Sequence, residues 1–387
     1  MLTIGDQEAF NLVRFFDDLP DPRSSVNRLH RLGDVIVIAI CAVVATADGP
    51  TAIAQWAELN EVWLRKHQSL PHGIPGKDTF RRVLSLLSPA LFQRCFSAWL
   101  DGLSLAEEDD DPSRGKRHVA VDGKTLRRSH DRKNSLGPLH VVSAWASDRG
   151  VTLGQVATDE KSNEITAIPQ LLEILDLEEA IVTIDAAGCQ KTIAAQIVQQ
   201  GGDYVLALKG NHGKLFDDVR LALAGPLQDD VATRSVSRYV EVEQGHGRLE
   251  SRTYYQTAAP DWLPGRSDWK GLKTIGAVIR TYEENGVEKS DTRYYISSLR
   301  RHGKQFAQAV RSHWGIENAL HWSLDMTYRE DESRVRNRTF AENLAWLRRF
   351  TLSLVKQHPG KQSQIMKRRM AGWSPDFLMQ ILVGKGS

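Results

Sequence analysis

The sequence predicts an α/β protein whose core is a mixed β-sheet, preceded by a helical region and interrupted by an all-β block. Three observations carry this expectation. From residue 118, "HVAVDGK", "LHVVSAWAS" and "VTLGQVATDE" alternate apolar and polar residues between short polar or glycine-bearing turns, the pattern of three antiparallel strands. The chain then alternates helix, strand, helix, strand and helix from 164 to about 224, which calls for parallel strands joined to the first hairpins. Between 236 and 299 helical periodicity disappears and strand signals return.

Taken in order, residues 1–104 read as mostly helical. An apolar helix is expected near 33–47, a second from Thr51 to about Lys66, and a third in "GIPGKDTFRRVLSLL", where Asp78 has the chemistry of an N-cap. This region suits either a helix-turn-helix-like DNA reader or a packing domain. The stretch 105–117 is acidic, then carries Pro-Ser-Arg-Gly with no apolar face, so it reads as a linker. Three antiparallel strands are followed by a helix at 164–175, a strand "AIVTIDAAG", a helix "QKTIAAQIVQQ", a strand "YVLALKG" and a helix from 213 to about 224. That is the element order of the RNase H-like fold. The block 236–299 reads as an all-β insertion, with "ENG" as a hairpin turn between two alternating runs. A long helix over 303–325 and another over "RTFAENLAWLRRFTLSLVKQ" complete the core, leaving 358–387 as a basic C-terminal tail or helix.

Composition bounds the possibilities. With 387 residues the chain exceeds one ordinary core, and 41% hydrophobic with 25% charged residues suits a soluble protein of two or three domains. The longest apolar run, "DVIVIAICAVVATADG", has too few apolar residues to span a bilayer, which needs roughly 20. No secretory signal follows Met1, and the three dispersed cysteines lack CxxC spacing, so a reducing cytoplasm without structural zinc is expected. The net charge is only +2, yet residues 301–387 carry 15 Lys and Arg against 7 Asp and Glu, a local +8 that suits a polyanionic partner or a solvated basic helix.

The chemistry is carried by carboxylates. Asp122 ends the strand "HVAVD" and Asp185 ends "IVTID", each followed by a small-residue turn. Ends of neighbouring strands in an open α/β sheet converge on one crevice, so the two side chains are placed to share a cation. At helical spacing His313, Glu317 and His321 fall on one face of "RSHWGIENALHWSLD", which supplies the third acid. A zinc site built from those three residues is disfavoured, because neither HExxH nor a three-histidine pattern is present. Convergence of Asp122, Asp185 and Glu317 would create an oxygen-only cage for Mg²⁺ or Mn²⁺, two ions per active site, suited to phosphoryl transfer. Lys124, Arg127 and Arg128 would then hold a phosphate backbone at its mouth.

"VAVDGKTLRRS", "EKSNEITAIPQLL", "VTIDAAGCQ", "YVLALKGNH", "GHGRLESR", "YYISSL" and "HWGIENALHWSLDMTYREDESRVR", with "FFDDLPDPRS" near the start, together resemble the DDE transposases of bacterial insertion sequences, in the H-repeat-associated (ISAs-one) branch. The resemblance spans nearly the whole chain. It implies that Asp122, Asp185 and Glu317 are the D, D and E of an RNase H-like core formed by 118–235 and 300–357. The implied partners are double-stranded DNA, as terminal inverted repeats and target, and a second copy of the chain on that DNA. The implied setting is the bacterial cytoplasm, at the nucleoid when DNA is bound, with no membrane association. The sequence departs from the pattern in one respect. Related enzymes place Tyr, Arg and Lys around the glutamate, where this chain has Val310, His313 and Leu324, so His313 stands where an arginine is usual.

Further DNA contacts are expected of Lys209 and Asn211 near Asp185, of Arg248 and Arg252 on a strand of the β block, of His313 and His321, of Arg334 and Arg336, and of "KRR" at 367–369. Trp314 and Trp322 read as core residues. The function this implies is Mg²⁺-dependent hydrolysis of phosphodiester bonds at element ends, then strand transfer into target DNA. The alternatives are a domesticated or inactive transposase-derived DNA-binding protein, or a regulator without chemistry.

Overall fold

The computed structural model describes residues 14–106, 116–158, 163–228, 235–245, 248–284 and 287–383. Among the described residues a single helical turn (Arg14–Asp17) and five longer helices precede the sheet: α1 (Leu32–Val44), α2 (Pro50–Leu59), α3 (Glu61–His67), α4 (Lys77–Leu86) and α5 (Pro89–Ala106). The single helix expected from Thr51 to Lys66 is divided at Asn60, which closes α2 and opens α3. Asp78 does not cap α4. Gly76 occupies that position, and Asp78 lies in the first turn, paired with Arg81 at 2.8 Å. An acid there still complements the positive end of the helix. Most of the predicted linker lies outside the described residues.

Nine described strands form one sheet, ordered β3-β2-β1-β4-β5-β9-β8-β7-β6. Strands β1 (Arg117–Thr125), β2 (His140–Ala146) and β3 (Val151–Thr158) are antiparallel neighbours, as their alternating runs predict. Helix α6 (Glu164–Glu173) leads to β4 (Ala180–Ile184), α7 (Lys191–Gln199) to β5 (Asp203–Leu208), and α8 (Lys214–Gln228) follows. Both β1 with β4 and β4 with β5 are parallel. Strands β6 (Val236–Gly245), β7 (Arg248–Ala258), β8 (Thr274–Glu284) and β9 (Val287–Ser297) form an antiparallel meander. This block is not a separate layer, because β9 hydrogen-bonds to β5 and continues the same sheet. The residues Asn285 and Gly286 of the predicted turn lie outside the described residues, while Glu284 and Val287 on either side are paired.

The last third is helical: α9 (Gly303–Gly315), a π-helical stretch (Ile316–His321), α10 (Trp322–Met326), α11 (Arg338–Gln357), α12 (Gln364–Trp373) and α13 (Pro375–Val383). Strand alternation sorts the core by face. Val119 and Val121 of β1 join the apolar cluster under α6 and α7, while Ala120 joins the one that contains α1, Ile316, Leu320 and α11. The helices before β1 and those after the Glu317 region thus share one continuous core on a single face of the sheet. Among the described residues no helix is long and apolar enough to cross a membrane.

The C-terminal charge excess is only partly a surface property. Lys367 and Arg368, expected as DNA contacts, are buried. The Lys367 ammonium donates to the carbonyl of Val355 (3.3 Å) and to that of His358 (2.5 Å), and the Arg368 guanidinium lies over the Tyr328 ring and donates to the carbonyl of Val43. These cations satisfy backbone acceptors where helices meet, so of the "KRR" triplet only Arg369 is exposed.

Candidate active site

Asp122 and Asp185 are brought together by register. The last paired rung of parallel β1 and β4 is Val121 with Ile184, so the two aspartates form the next position along adjacent strands. Asp122 has the same parity as Ala120, and Asp185 the same parity as Ile181, which packs with Phe306 and Val310 of α9. Both carboxylates therefore face the helix that carries Glu317. β1 runs past Asp122 to Thr125, paired throughout with β2, so Asp122 lies within its strand and not at its exit. Only the shorter β4 ends at that level.

The turn after β4 is built around Asp185, whose Oδ1 accepts the amide of Ala187 (2.8 Å) and that of Gly188 (3.3 Å). Asn211 braces the same turn by donating from Nδ2 to the carbonyl of Ala186 (3.2 Å). Asn211 and Lys209 are both exposed beside it.

The π-helical stretch changes how the Glu317 helix meets the sheet. A wider turn at 316–321 separates the inward residues from the regular spacing assumed from sequence. His313 Nδ1 stands 3.2 Å from Thr183 Oγ1, and His321 Nδ1 stands 3.5 Å from Asp122 Oδ2. Glu317 is exposed between them. The two histidines are not outward DNA contacts, because they roof the carboxylates. Burial pushes His313 down to about 4 despite nearby Asp185, and burial with the charges of Arg349 and Lys124 pushes His321 down to about 3. Both rings are neutral at pH 7, so the His321–Asp122 contact is not an ion pair there. Nor does His313 supply the charge of the arginine usual at its position. Val310 and Leu324 are core residues.

Burial raises the Asp122 carboxyl to about 7, the Gly123 amide opposes this, and the charges of Asp185, Glu317 and Glu164 add to it. Glu164 and its partner His140 escaped the sequence reading. His140 Nε2 is 2.7 Å from Glu164 Oε1, and its Nδ1 is 2.9 Å from Thr125 Oγ1. A Cβ at Gly123 would overlap both Glu164 and His140, so this glycine is required by close approach. No local pattern marks Glu164, which only occupies the first residue of α6.

An acid whose pKa is raised on folding stabilises the fold below its unfolded value near 3.8, and that contribution is lost as pH rises through about 7. Asp122→Asn should therefore stabilise the metal-free protein at pH 8 by up to roughly 4 kcal/mol, and near pH 4 by almost nothing. Denaturant melts in chelator at both pH values test this.

Lys124 is not free for phosphate. It is 8% exposed and is held by Asp325 (2.7 Å) and Asp331 (2.9 Å). β1 continues through it into the interior, and a buried ammonium needs such partners. Arg127 reaches Asp331 at 3.1 Å but is otherwise exposed, as is Arg128. Arg252 is tied into a ladder with Glu243 (2.8 Å) and Glu250, and Arg280 joins Glu250 at 2.6 Å, so this strand face is salt-bridged. Arg248 is placed by its backbone alone, opposite Gly245. Arg334 and Arg336 are exposed. Trp314 stacks under Arg293 at 4.4 Å, and Trp322 is 58% exposed and so is no core residue.

Among the described residues no three His, Cys, Asp or Glu side chains are close enough together to hold an ion. What the geometry provides is two adjacent strand carboxylates, a third on the opposing helix within electrostatic reach, and neutral histidines over them.

A family model described as "Transposase DDE domain" matches residues 113–354, and one described as "DDE_Tnp_1-associated" matches 13–100. The "H repeat-associated putative transposase YhhI" of Escherichia coli (strain K12) is 36% identical over 98% of this chain and 99% of its own length. The "Uncharacterized protein in dhlA 3'region" of Xanthobacter autotrophicus is 42% identical over 73% of this chain and 93% of its own length. A structure titled "Cryo-EM structure of piggyBac transposase synaptic complex with hairpin DNA (SNHP)" superposes at a TM-score of 0.39 with 11% identity, covering 96% of this chain and 80% of that one.

Proposed function

Because this chain belongs to the DDE transposases, alongside the H-repeat-associated proteins, we propose that it cleaves phosphodiester bonds at the ends of a DNA element and joins them to target DNA. Asp122, Asp185 and Glu317 are the catalytic carboxylates in this reading. The observation that carries it is the placement of Asp122 and Asp185 one rung past the Val121–Ile184 pair, on the face met by the Glu317 helix. The order β3-β2-β1-β4-β5 with these directions suits an RNase H-like core.

The donor set fits a hard divalent cation such as Mg²⁺ or Mn²⁺. It is made of carboxylate oxygens, and the raised Asp122 carboxyl reports like-charge crowding and burial that a cation would relieve. Such ions, when bound, activate an attacking oxygen and stabilise the leaving one. The chain's own residues do the rest. The Ala187 and Gly188 amides fix the Asp185 carboxylate, leaving its other oxygen for a ligand. His321 and His313 cover Asp122 and Asp185 without neutralising them, since both rings lack charge at pH 7. Closure of Glu317 onto the strand pair completes the cage when DNA is bound. Exposed Arg127, Arg128 and Lys209 around the mouth are suited to hold phosphates. Work on two ends calls for two copies on DNA.

The test is purified protein, Mg²⁺ and a DNA fragment carrying the repeats that flank its gene. Nicking is expected, and Asp122→Asn should abolish it while DNA binding persists. Nicking that survives in Asp122→Asn would overturn the assignment.

A further inference from the structure

A second feature lies away from the carboxylates, where the helices before β1 face the segment that follows the Glu317 helix. There a cleft of about 810 Å³ runs between the start of α2, helix α4 and residues 328–337. Its acids are already engaged. Asp78 pairs with Arg81 at 2.8 Å, Glu332 with Arg329 at 2.6 Å, and Asp48 with Arg368 at 3.5 Å. Lys77, Arg334 and Arg336 line the same cleft, are exposed, and have no ion-pair partner within 4.0 Å among the described residues. Arg336 adds only a longer-range influence on Asp131.

Two independent features point to an anion at one end. Helix α2, ten residues long, begins at this cleft with Gly49 as N-cap and Pro50 in its first turn, and no side chain caps it. Its positive end is therefore open to a ligand. Arg348 lines the same wall, is 3% exposed, and its Nε has no hydrogen-bond partner, although Nη2 reaches the carbonyl of Asp48 at 3.5 Å. The Arg348 guanidinium thus sets a positive charge in the cleft wall beside the open helix start, where a phosphate would be favoured.

The cleft is also mechanically joined to the carboxylates. Asp331, in the segment that forms its wall, binds Lys124 and Arg127 on the continuation of the Asp122 strand. We infer that this cleft binds the phosphodiester backbone of the DNA strand to be cut, with one phosphate at the start of α2 over Arg348 and others on Lys77, Arg334 and Arg336. This rests on the reading of the protein as a DNA-cleaving transposase. It gives the helical region before β1 a share in gripping the same strand that the sheet cleaves.

The test is fluorescence anisotropy of the full chain with a labelled duplex of about 30 base pairs, in Ca²⁺, across a salt series. Lys77→Gln combined with Arg334→Gln should weaken binding roughly ten-fold at physiological salt and lower the slope of log affinity against log salt by about 2, since each lost phosphate contact removes about 0.9. Replacing the exposed Lys304 and Lys361 by Gln removes the same charge outside the cleft and should leave the slope unchanged. A thiol at Ser333→Cys, in the cleft wall, should attack an activated disulfide tethered to a backbone phosphate of the DNA, forming a protein–DNA disulfide and expelling the small leaving-group thiol, whatever the folding of the charge variants. An unchanged slope with no crosslink, in protein that still binds and nicks DNA, overturns the cleft assignment and leaves the proposed function standing. Wild-type protein that neither binds nor nicks DNA overturns both.

Discussion

Asp185→Asn and Glu317→Gln are each expected to lower Mg²⁺-dependent strand cleavage by about 10³-fold or more, equivalent to roughly 4 kcal/mol of barrier. DNA binding should stay within about two-fold, because backbone affinity comes from cationic side chains. The two substitutions differ in what else they disturb. Asp185 also organises the 185–188 turn through two amide hydrogen bonds, and an asparagine retains one acceptor oxygen for them, so the fold should survive. Glu317 is exposed and its side chain makes no hydrogen bond or ion pair among the described residues, so its loss should not destabilise the fold and, by removing a charge that crowds Asp122, should if anything stabilise the metal-free protein slightly. Single-turnover cleavage at saturating protein separates the chemical step from binding. A Mg²⁺-induced rise in melting temperature that disappears in Asp122→Asn and Asp185→Asn would tie the same side chains to the ion without reference to activity. Cleavage within a few-fold of wild type in Glu317→Gln would remove that residue from the chemistry.

The second large effect is on stability. Glu330→Ala should destabilise the fold by roughly 3–5 kcal/mol, because it leaves a buried guanidinium without its counter-ion. Glu330 and Arg349 are both 0% exposed and meet at 2.9 Å. The Arg349 guanidinium also donates to Ser143 Oγ (3.1 Å) and to the carbonyl of Ala345 (3.1 Å), and Ser143 is the β2 partner of Asp122. The pair therefore stands directly behind the Asp122 strand. Replacing both members, Glu330→Leu with Arg349→Met, should cost much less than either single change, since Glu330 Oε2 and Arg349 Nη2 already lack partners. Equilibrium unfolding of the two single variants and the double variant closes the cycle. Additive effects would show that the two charges act independently.

How much of this was legible beforehand depended on the range of the forces involved. Strand alternation around "HVAVD" and "IVTID" and the helical spacing around Glu317 are local patterns, and they singled out these carboxylates and the order of the core strands. Which of their neighbours are charged or reachable is not a local property. Lys124 looked like a clamp at the mouth of the site, yet Asp325 and Asp331, some two hundred residues later, enclose it. His313 and His321 looked like cationic contacts, yet packing against the sheet keeps both neutral. Lys367 and Arg368 looked like a basic tail, yet they hold carbonyls between helices.

The amino-acid sequence by itself therefore determined the family and the element order, and it nominated the three acids, because periodicity and motif residues are written along the chain. Tertiary structure alone decided the joining of the β block to the central sheet, the approach of Glu164 and His140 to Asp122, and the division of basic residues between interior and surface. Burial and pairing depend on which distant segments meet, and a charge changes its meaning once water is removed and an opposite charge takes its place.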